Sequence, residues 1–97
     1  MEKFVYLGCL FDIYAPLLTE KEQNYFKDYY EENLSLAEIA ENYSVSRNAV
    51  FKSLKTVDDK LEAYESKLNV YKLKNKLKEI SELTDISVIK TQINELI

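Results

Sequence analysis

The chain contains no histidine and no tryptophan, and it has a single glycine, proline, cysteine and methionine. The absence of histidine removes the commonest general acid-base catalyst and leaves a zinc site without the ligands it needs. A single cysteine, Cys9, excludes an intramolecular disulfide within these 97 residues and fits a reducing cytosol. With so few turn-forming residues, the composition predicts an all-α domain of helices joined by short connections.

Long hydrophobic runs are also missing. The most apolar run, Phe4 to Phe11, is too short to span a bilayer and is followed by Asp12 and then Pro16. Lys3 precedes this run as a basic residue would in a secretory signal, but no small-residue cleavage site follows it. We therefore expect a soluble, cytoplasmic protein with no membrane contact.

Patterns typical of catalysis are scarce as well. The chain has no glycine-rich phosphate loop and no nucleophile elbow, so acid-base chemistry would depend on carboxylates that the pattern places in solvent. Cys9 lies in an apolar helix, which favours an inert, buried thiol. The adjacent pairs Glu31-Glu32 and Asp58-Asp59 diverge by about 100° on a helix, so neither pair converges on one ion. We predict no catalytic, cofactor-binding or metal-binding residues and no enzyme activity.

Helical periodicity is what the sequence does contain. Apolar residues recur at helical spacing from Phe4 to Leu18, and Pro16 is expected to end this first helix. Thr19 and Glu22 form a capping box that opens a second helix. Its aromatic stripe, from Tyr25 to Tyr30, is more typical of a hydrophobic core than of a stacking surface for a cofactor.

The segment LAEIAENYSVSRNAVFKSLK, residues 36–55, has the pattern of a helix-turn-helix. Ser35 and Glu38 form a second capping box for a short helix through Asn42, and Ser46 is the expected N-cap of the next helix. Ala40 is the small residue at the helix crossing. One residue of the turn, near Ser44, is expected to adopt a left-handed backbone conformation. The apolar positions that lock the crossing are Ile39, Tyr43, Val45, Val50 and Leu54.

With these core positions assigned, a polar face remains on the outside of the second helix of the motif. Arg47 and Asn48 lie in its first turn and carry the side chains suited to bidentate pairing with guanine and adenine. Lys52 and Lys55 would lie toward phosphates, which the amides near Ser46 would also cap. The predicted nucleic-acid-binding residues are Ser46, Arg47, Asn48, Phe51, Lys52 and Lys55. The alternative is an ordinary solvated face.

The overall charge opposes strong binding of nucleic acid. The chain has 17 acidic against 13 basic residues, and the excess lies in residues 1–34, with seven acidic and three basic side chains. Three or four basic contacts give a weak, salt-sensitive grip on phosphates. We therefore expect that useful affinity requires two motifs on one homodimer.

The second helix of the motif is expected to continue well past the motif, along a seam with alternating gaps of four and three residues: Val50, Leu54, Val57, Leu61, Tyr64, Leu68 and Tyr71. From Val57 onward, we expect this seam to meet either the C-terminal segment or another copy of the chain. A break is predicted near Asn69, and Thr84 or Asp85 would cap a last helix with an apolar face. The predicted organisation is a helix-turn-helix domain over residues 1–67 and a helical C-terminal extension over residues 68–97 for dimerisation or partner binding.

Three segments carry a resemblance to a known family: LFDIYAPLLTEKEQNYFKDYY, LSLAEIAENYSVSRNAVFKSLK and LEAYESKLNVY. Together they resemble the YlxM-like family of small bacterial helix-turn-helix proteins over about two thirds of the chain. The resemblance implies a fold like region 4 of sigma factors, with a long recognition helix and a helical extension. Asn48 and Thr56 depart from the glutamine and arginine that family members often have there, and the loss of a basic side chain at Thr56 argues against strong DNA binding.

The same resemblance implies a regulator connected to the signal recognition particle, because genes of the family commonly neighbour those of its GTPases. Two functions are therefore left open. The first is a nucleic-acid-binding regulator, acting on DNA or RNA. The alternative is a protein adapter that binds the signal recognition particle or its receptor, with no physiological DNA binding.

Overall fold

Six α-helices make up the computed structural model, which describes residues 2–97. No strand occurs in that range, so the all-α prediction is confirmed. A 3₁₀ turn, Ala15–Leu17, follows the first helix, and a π-helical turn, Lys27–Glu31, extends the second. The helices are α1 (Lys3–Tyr14), α2 (Glu20–Phe26), α3 (Leu36–Tyr43), α4 (Arg47–Leu68), α5 (Val70–Ser81) and α6 (Ile86–Leu96).

Local side-chain chemistry sets most of the helix ends. Both predicted capping boxes are present, since Thr19 and Ser35 each accept the amide of the third helical residue while that residue's glutamate accepts their own amide. Ser46 caps α4, and Asp85 caps α6. Each cap satisfies amides that have no partner inside the helix, which explains why helices begin at these points.

Three non-glycine residues adopt left-handed backbone conformations at the joints between elements. These are Asn33, Ser44 and Asn69, with φ angles of 55°, 55° and 53°. Ser44 ends α3 where the sequence called for such a residue, and Asn69 separates α4 from α5 where a break was predicted. Asparagine adopts this conformation more easily than other residues with a side chain, which suits two of the three joints.

Helix α4 contributes buried side chains to two separate hydrophobic clusters. Val50 and Leu54, in its first half, are buried with α2 and α3 in a cluster formed by Tyr25, Ile39, Ala40, Val50 and Leu54. Val57 and Leu61, in its second half, are buried against α1 and α2 in a cluster formed by Leu7, Leu10, Phe11, Tyr14, Leu18, Phe26, Val57 and Leu61. One helix therefore joins the motif to the N-terminal helices.

The second cluster corrects one prediction from the sequence. Val57 and Leu61 were expected to need the C-terminal segment or a second chain, but α1 covers both of them, and each is 0 % exposed. The error has a physical cause, because periodicity shows that a face is buried without showing what buries it. Of the later seam residues, Tyr64 and Tyr71 pack against this cluster, and Leu68 is 54 % exposed.

The α5–α6 hairpin is packed very differently. Ile80 is the one buried residue of α5, and α6 has none. The molecule measures 58 × 22 × 19 Å, and its radius of gyration is 17.6 Å, whereas a compact chain of this length has about 12.5 Å. The hairpin therefore extends from the rest of the protein with many of its apolar side chains exposed to solvent.

Candidate nucleic-acid interface

The turn between α3 and α4 is closed by main-chain hydrogen bonds. The amide of Val45 donates to the carbonyl of Ala40 at 3.0 Å, and the amide of Ser44 donates to that of Glu41 at 3.2 Å. These bonds satisfy the last carbonyls of α3, and the left-handed Ser44 turns the chain toward α4. Ala40 is 6 % exposed, as expected for the small residue at the crossing.

Tyrosines fix α3 against α2. The ring of Tyr25 meets that of Tyr43 edge to face, with centroids 4.8 Å apart. The Tyr43 hydroxyl donates to Oδ2 of Asp28 at 3.2 Å. Burial, and then the charge of Asp28, raise the pKa of the Tyr43 hydroxyl, so this donor keeps its proton. The aromatic stripe predicted as core therefore supports the motif from behind, although Tyr29 is 37 % exposed.

A charged contact fixes α4 against the start of α2. Nζ of Lys60 donates to Oε2 of Glu22 at 2.7 Å, and Oε1 of Glu22 serves the capping box. Burial acts to raise the pKa of Glu22, but the hydrogen bonds from Lys60 and from Thr19 outweigh it and lower that pKa. This bond fixes the second half of α4 against the start of α2, while the tyrosine contacts fix α3 against α2.

All six predicted binding residues lie together at the start of α4, and all are exposed. Oγ of Ser46 accepts the amide of Ala49 at 3.0 Å, so this residue orders the first turn of the helix. Arg47 and Asn48 follow directly in that turn, and Phe51, 54 % exposed, lies one turn further on. The backbone amides in the first turn of α4 have no hydrogen-bond partners inside the helix, and they point toward its N-terminal end.

The basic character of this face ends abruptly. Nζ of Lys55 lies 4.0 Å from Oδ1 of Asp59, in a pair whose side chains are 70 % and 65 % exposed. An ion pair in that much solvent is weak, so Lys55 is available to a phosphate. Beyond it, Asp59 and Glu62 occupy the same stripe of α4. The basic part of this face is therefore confined to about the first three turns of α4 and is followed by acidic side chains.

Sequence reasoning missed a polar junction at the other end of α4, formed by Tyr14 and Glu65. Glu65 is 7 % exposed, and its Oε1 accepts the Tyr14 hydroxyl at 2.6 Å and the amide of Tyr71 at 3.0 Å. Its Oε2 accepts the amide of Lys72 at 3.1 Å. The amide of Val70 donates to the Tyr14 hydroxyl at 3.2 Å. Three amides in the first turn of α5 are thus satisfied by α1 and α4.

The electrostatics of the junction favour an ionised Glu65. Burial acts to raise the pKa of this carboxyl, but the hydrogen bonds from Tyr14 and from the amides of Tyr71 and Lys72 give a net lowering. Burial and the bond to Glu65 raise the pKa of the Tyr14 hydroxyl. The sequence held one signal, because Glu65 lies four residues after buried Leu61 on the face that α1 covers.

A second acidic contact lies between α4 and the π-helical turn. The Tyr30 hydroxyl donates to Oδ2 of Asp58 at 3.2 Å, while Oδ1 of Asp58 is buried without a hydrogen-bond partner. Burial and the charge of Asp58 raise the pKa of Tyr30 to about 12. Burial also raises the pKa of Asp58. Asp58 therefore faces the interior of the domain, away from the predicted binding face.

Between residues 2 and 97, no helix is both long and apolar enough to cross a membrane. In the same range, no group of three or more histidine, cysteine, aspartate or glutamate side chains is placed to hold a metal ion.

The paired helices, their left-handed turn and the exposed face of the second helix define a helix-turn-helix protein. A family model described as "UPF0122: Putative helix-turn-helix protein, YlxM / p13 like" matches residues 1–97. The chain belongs to this family. The resemblance predicted from the sequence is thereby confirmed.

Relatives from streptococci support this assignment. A UPF0122 protein of Streptococcus equi subsp. zooepidemicus (strain MGCS10565) is 49 % identical over 71 residues, which cover 73 % of this chain and 63 % of that protein. One from Streptococcus agalactiae serotype III (strain NEM316) is also 49 % identical over 71 residues, covering 73 % of this chain and 64 % of the relative. The chain thus spans slightly less than two thirds of the length of these relatives.

Proposed function

We propose that this protein is a DNA-binding regulator whose contact surface is the outer face of α4 from Ser46 to Lys55. The observation that carries the proposal is the joint exposure of Arg47, Asn48, Lys52 and Lys55 on one face of a helix whose opposite face is fully packed. Helix-turn-helix proteins place such a face in the major groove. The family's description as a helix-turn-helix family supports the same role.

Each residue of the face has a distinct part in this proposal. Ser46 orders the first turn, and Arg47 and Asn48 meet base edges as bidentate partners. Lys52 and Lys55 contact phosphates on either side. Since few cations are available and Asp59 and Glu62 follow them, binding is moderate and strongly dependent on salt.

The test is a titration of duplex DNA by fluorescence anisotropy at several salt concentrations. We expect Arg47→Ala and Lys52→Ala to weaken binding, and each lost phosphate contact to reduce the slope of log K against log salt by about 0.9. Lys74→Ala, a change of an exposed lysine on α5, is the matched control and should leave binding unchanged. Binding that is insensitive to Arg47→Ala and Lys52→Ala would contradict the proposal.

The proposal includes a division of labour along the chain and a homodimer. Residues 1–67 form the DNA-binding domain, and residues 68–97 form the extension that pairs two copies, so that two weak faces act together. The exposed side chains Ile86, Val88, Ile93 and Leu96 of α6 support this role. Analytical ultracentrifugation at tens of micromolar should give a dimer, which Ile93→Glu should dissociate. A monomer at that concentration would refute it.

A second candidate is a protein adapter in the signal recognition particle pathway. The observation that favours it is the same exposed apolar hairpin, which could be covered by another protein. Its test is a pull-down with the purified protein component of the signal recognition particle and, separately, with its receptor. Recovery that is lost with Ile93→Glu but kept with Arg47→Ala would support the adapter, and no recovery above background would exclude it.

A further inference from the structure

Phe51 is an aromatic residue on an otherwise polar face. Its side chain is 54 % exposed and belongs to neither buried cluster. Within residues 31–67, all of which the structure describes, it is the single large hydrophobic side chain that is exposed. A lone exposed apolar residue is common on protein surfaces, so the position of Phe51 on α4 must decide what it does.

That position is the centre of the proposed DNA-contacting face. Arg47, Phe51 and Lys55 follow one another at four-residue intervals and form one row along α4, while Asn48 and Lys52 form the adjacent row. At about 1.5 Å per residue, Phe51 lies roughly 4.5 Å beyond Asn48 and 6 Å beyond Arg47 along the helix axis. Since base pairs are spaced by about 3.4 Å, this distance corresponds to one or two base pairs.

The major groove offers one apolar group at its base edges, the C5 methyl of thymine. The polar neighbours of Phe51 on this face would meet polar groups, whereas its ring gains free energy only from an apolar contact. We infer that Phe51 contacts a thymine methyl group one or two base pairs from the bases met by Arg47 and Asn48. This inference rests on the proposed function, and it makes thymine a requirement at one position of the binding site.

An aromatic ring can also stack on an unpaired base, but the geometry favours the duplex. Stacking proteins present aromatic side chains along an open groove that follows a single strand. Phe51 instead lies on the convex surface of a helix, one turn beyond a helix N-terminus, where a recognition helix enters a groove about 12 Å wide. The Phe51 ring is therefore placed to contact the edges of paired bases in the groove, and not to stack on the face of an unpaired base.

The experiment removes the methyl groups from the DNA rather than from the protein. Duplexes of 24 base pairs that bind the full chain are selected from a random pool, and one is synthesised with thymine and again with uracil. We expect wild-type protein to bind the uracil duplex about three- to fourfold more weakly per contacted methyl. Phe51→Ala should bind the two duplexes equally, at about a tenfold lower affinity than the wild type has for thymine DNA. Phe51→Leu should keep part of the preference for thymine.

The matched control is Phe4→Ala, because Phe4 on α1 is 55 % exposed, nearly the same as Phe51, and lies outside the binding face. It should keep the full difference between the thymine and uracil duplexes. Both alanine variants should have the same melting temperature as the wild type, since neither ring is buried. Equal binding of the two duplexes by the wild type, or tighter binding of single strands, would overturn the inference while leaving DNA binding intact. Absence of binding to every duplex would overturn the proposed function itself.

Discussion

Residues 3–68 and residues 70–97 are both helical, but different kinds of contact hold them in place. Thirteen of the fourteen buried hydrophobic residues in the described chain lie between Leu7 and Leu61, and Ile80 is the other. The hairpin is attached largely through the polar junction of Tyr14 and Glu65 and through the ring of Tyr71, 5.4 Å from that of Tyr6. Local propensity can form helices in both regions, but only the first has enough apolar packing to hold them together.

The comparison has a functional consequence. The helix-turn-helix is held rigid by two apolar clusters, as a surface that reads bases must be. The hairpin depends mainly on contacts at one end and leaves many of its apolar residues exposed, so a partner that covers them would change its stability more than that of the motif.

The largest expected effect is a matched pair of leucine truncations. Leu61→Ala removes a side chain that is 0 % exposed, and the cavity should lower the free energy of unfolding by about 2–5 kcal/mol. Leu73→Ala, on α5, removes one that is 43 % exposed and should cost less than about 1 kcal/mol. Urea denaturation followed by circular dichroism measures both. Equal losses would mean that the hairpin is packed as tightly as the motif.

The polar junction can be tested by a substitution at Glu65 that removes the negative charge and keeps the side-chain volume. Glu65→Gln weakens three hydrogen bonds to a buried carboxylate and should cost about 1–3 kcal/mol. Amide hydrogen exchange should accelerate first in the opening turn of α5. Glu62→Gln, three residues earlier and exposed, is the control and should change stability by less than about 0.5 kcal/mol. Unchanged amide exchange at Tyr71 and Lys72 would show that the junction does not attach the hairpin.

The same junction gives a pH dependence. The pKa of Glu65 is lowered from its ordinary 4.5 in the folded protein, so its ionised form contributes stability above that pH. That contribution is lost as the pH falls through the folded-state pKa. Glu65→Gln should therefore show a smaller loss of stability on acidification below about pH 4.5 than the wild type does. Thermal melts between pH 3 and 7 test this, and parallel curves for the two proteins would contradict it.

The smallest expected effects lie at two of the three left-handed joints, Ser44 inside the motif and Asn69 between the two regions. Ser44→Gly should raise the free energy of unfolding by about 0.5 kcal/mol, because glycine adopts a φ angle of 55° without steric cost. Asn69→Gly should raise it less, because asparagine already tolerates this conformation. Thermal denaturation of both variants gives the comparison. A larger gain at Asn69 than at Ser44 would show that the α4–α5 joint is the more strained of the two.

Features that depend on neighbouring residues were predictable from the sequence. The caps at Thr19, Ser35 and Ser46, the left-handed turn at Ser44 and the break at Asn69 all follow from interactions within a few residues. The exposure of the six residues predicted as the outer face follows from the same periodicity that buries Val50 and Leu54.

Features that depend on distant residues were not predictable. Glu65 looked like one of many solvated carboxylates, because its main partner, Tyr14, lies 51 positions earlier in the chain. Periodicity placed Val57 and Leu61 on a buried face but did not show that α1, which also carries an apolar face, supplies most of the side chains that bury them.

The sequence by itself thus determined where most of the helices begin, which face of α4 is buried and which face is left to solvent. These properties arise from hydrogen bonds and spacing within one or two helical turns. Only the tertiary structure decided that α1 covers the rear half of α4 and that Tyr14 and Glu65 attach the C-terminal hairpin. Those contacts join groups far apart in the chain, and they become favourable only after folding removes both partners from water.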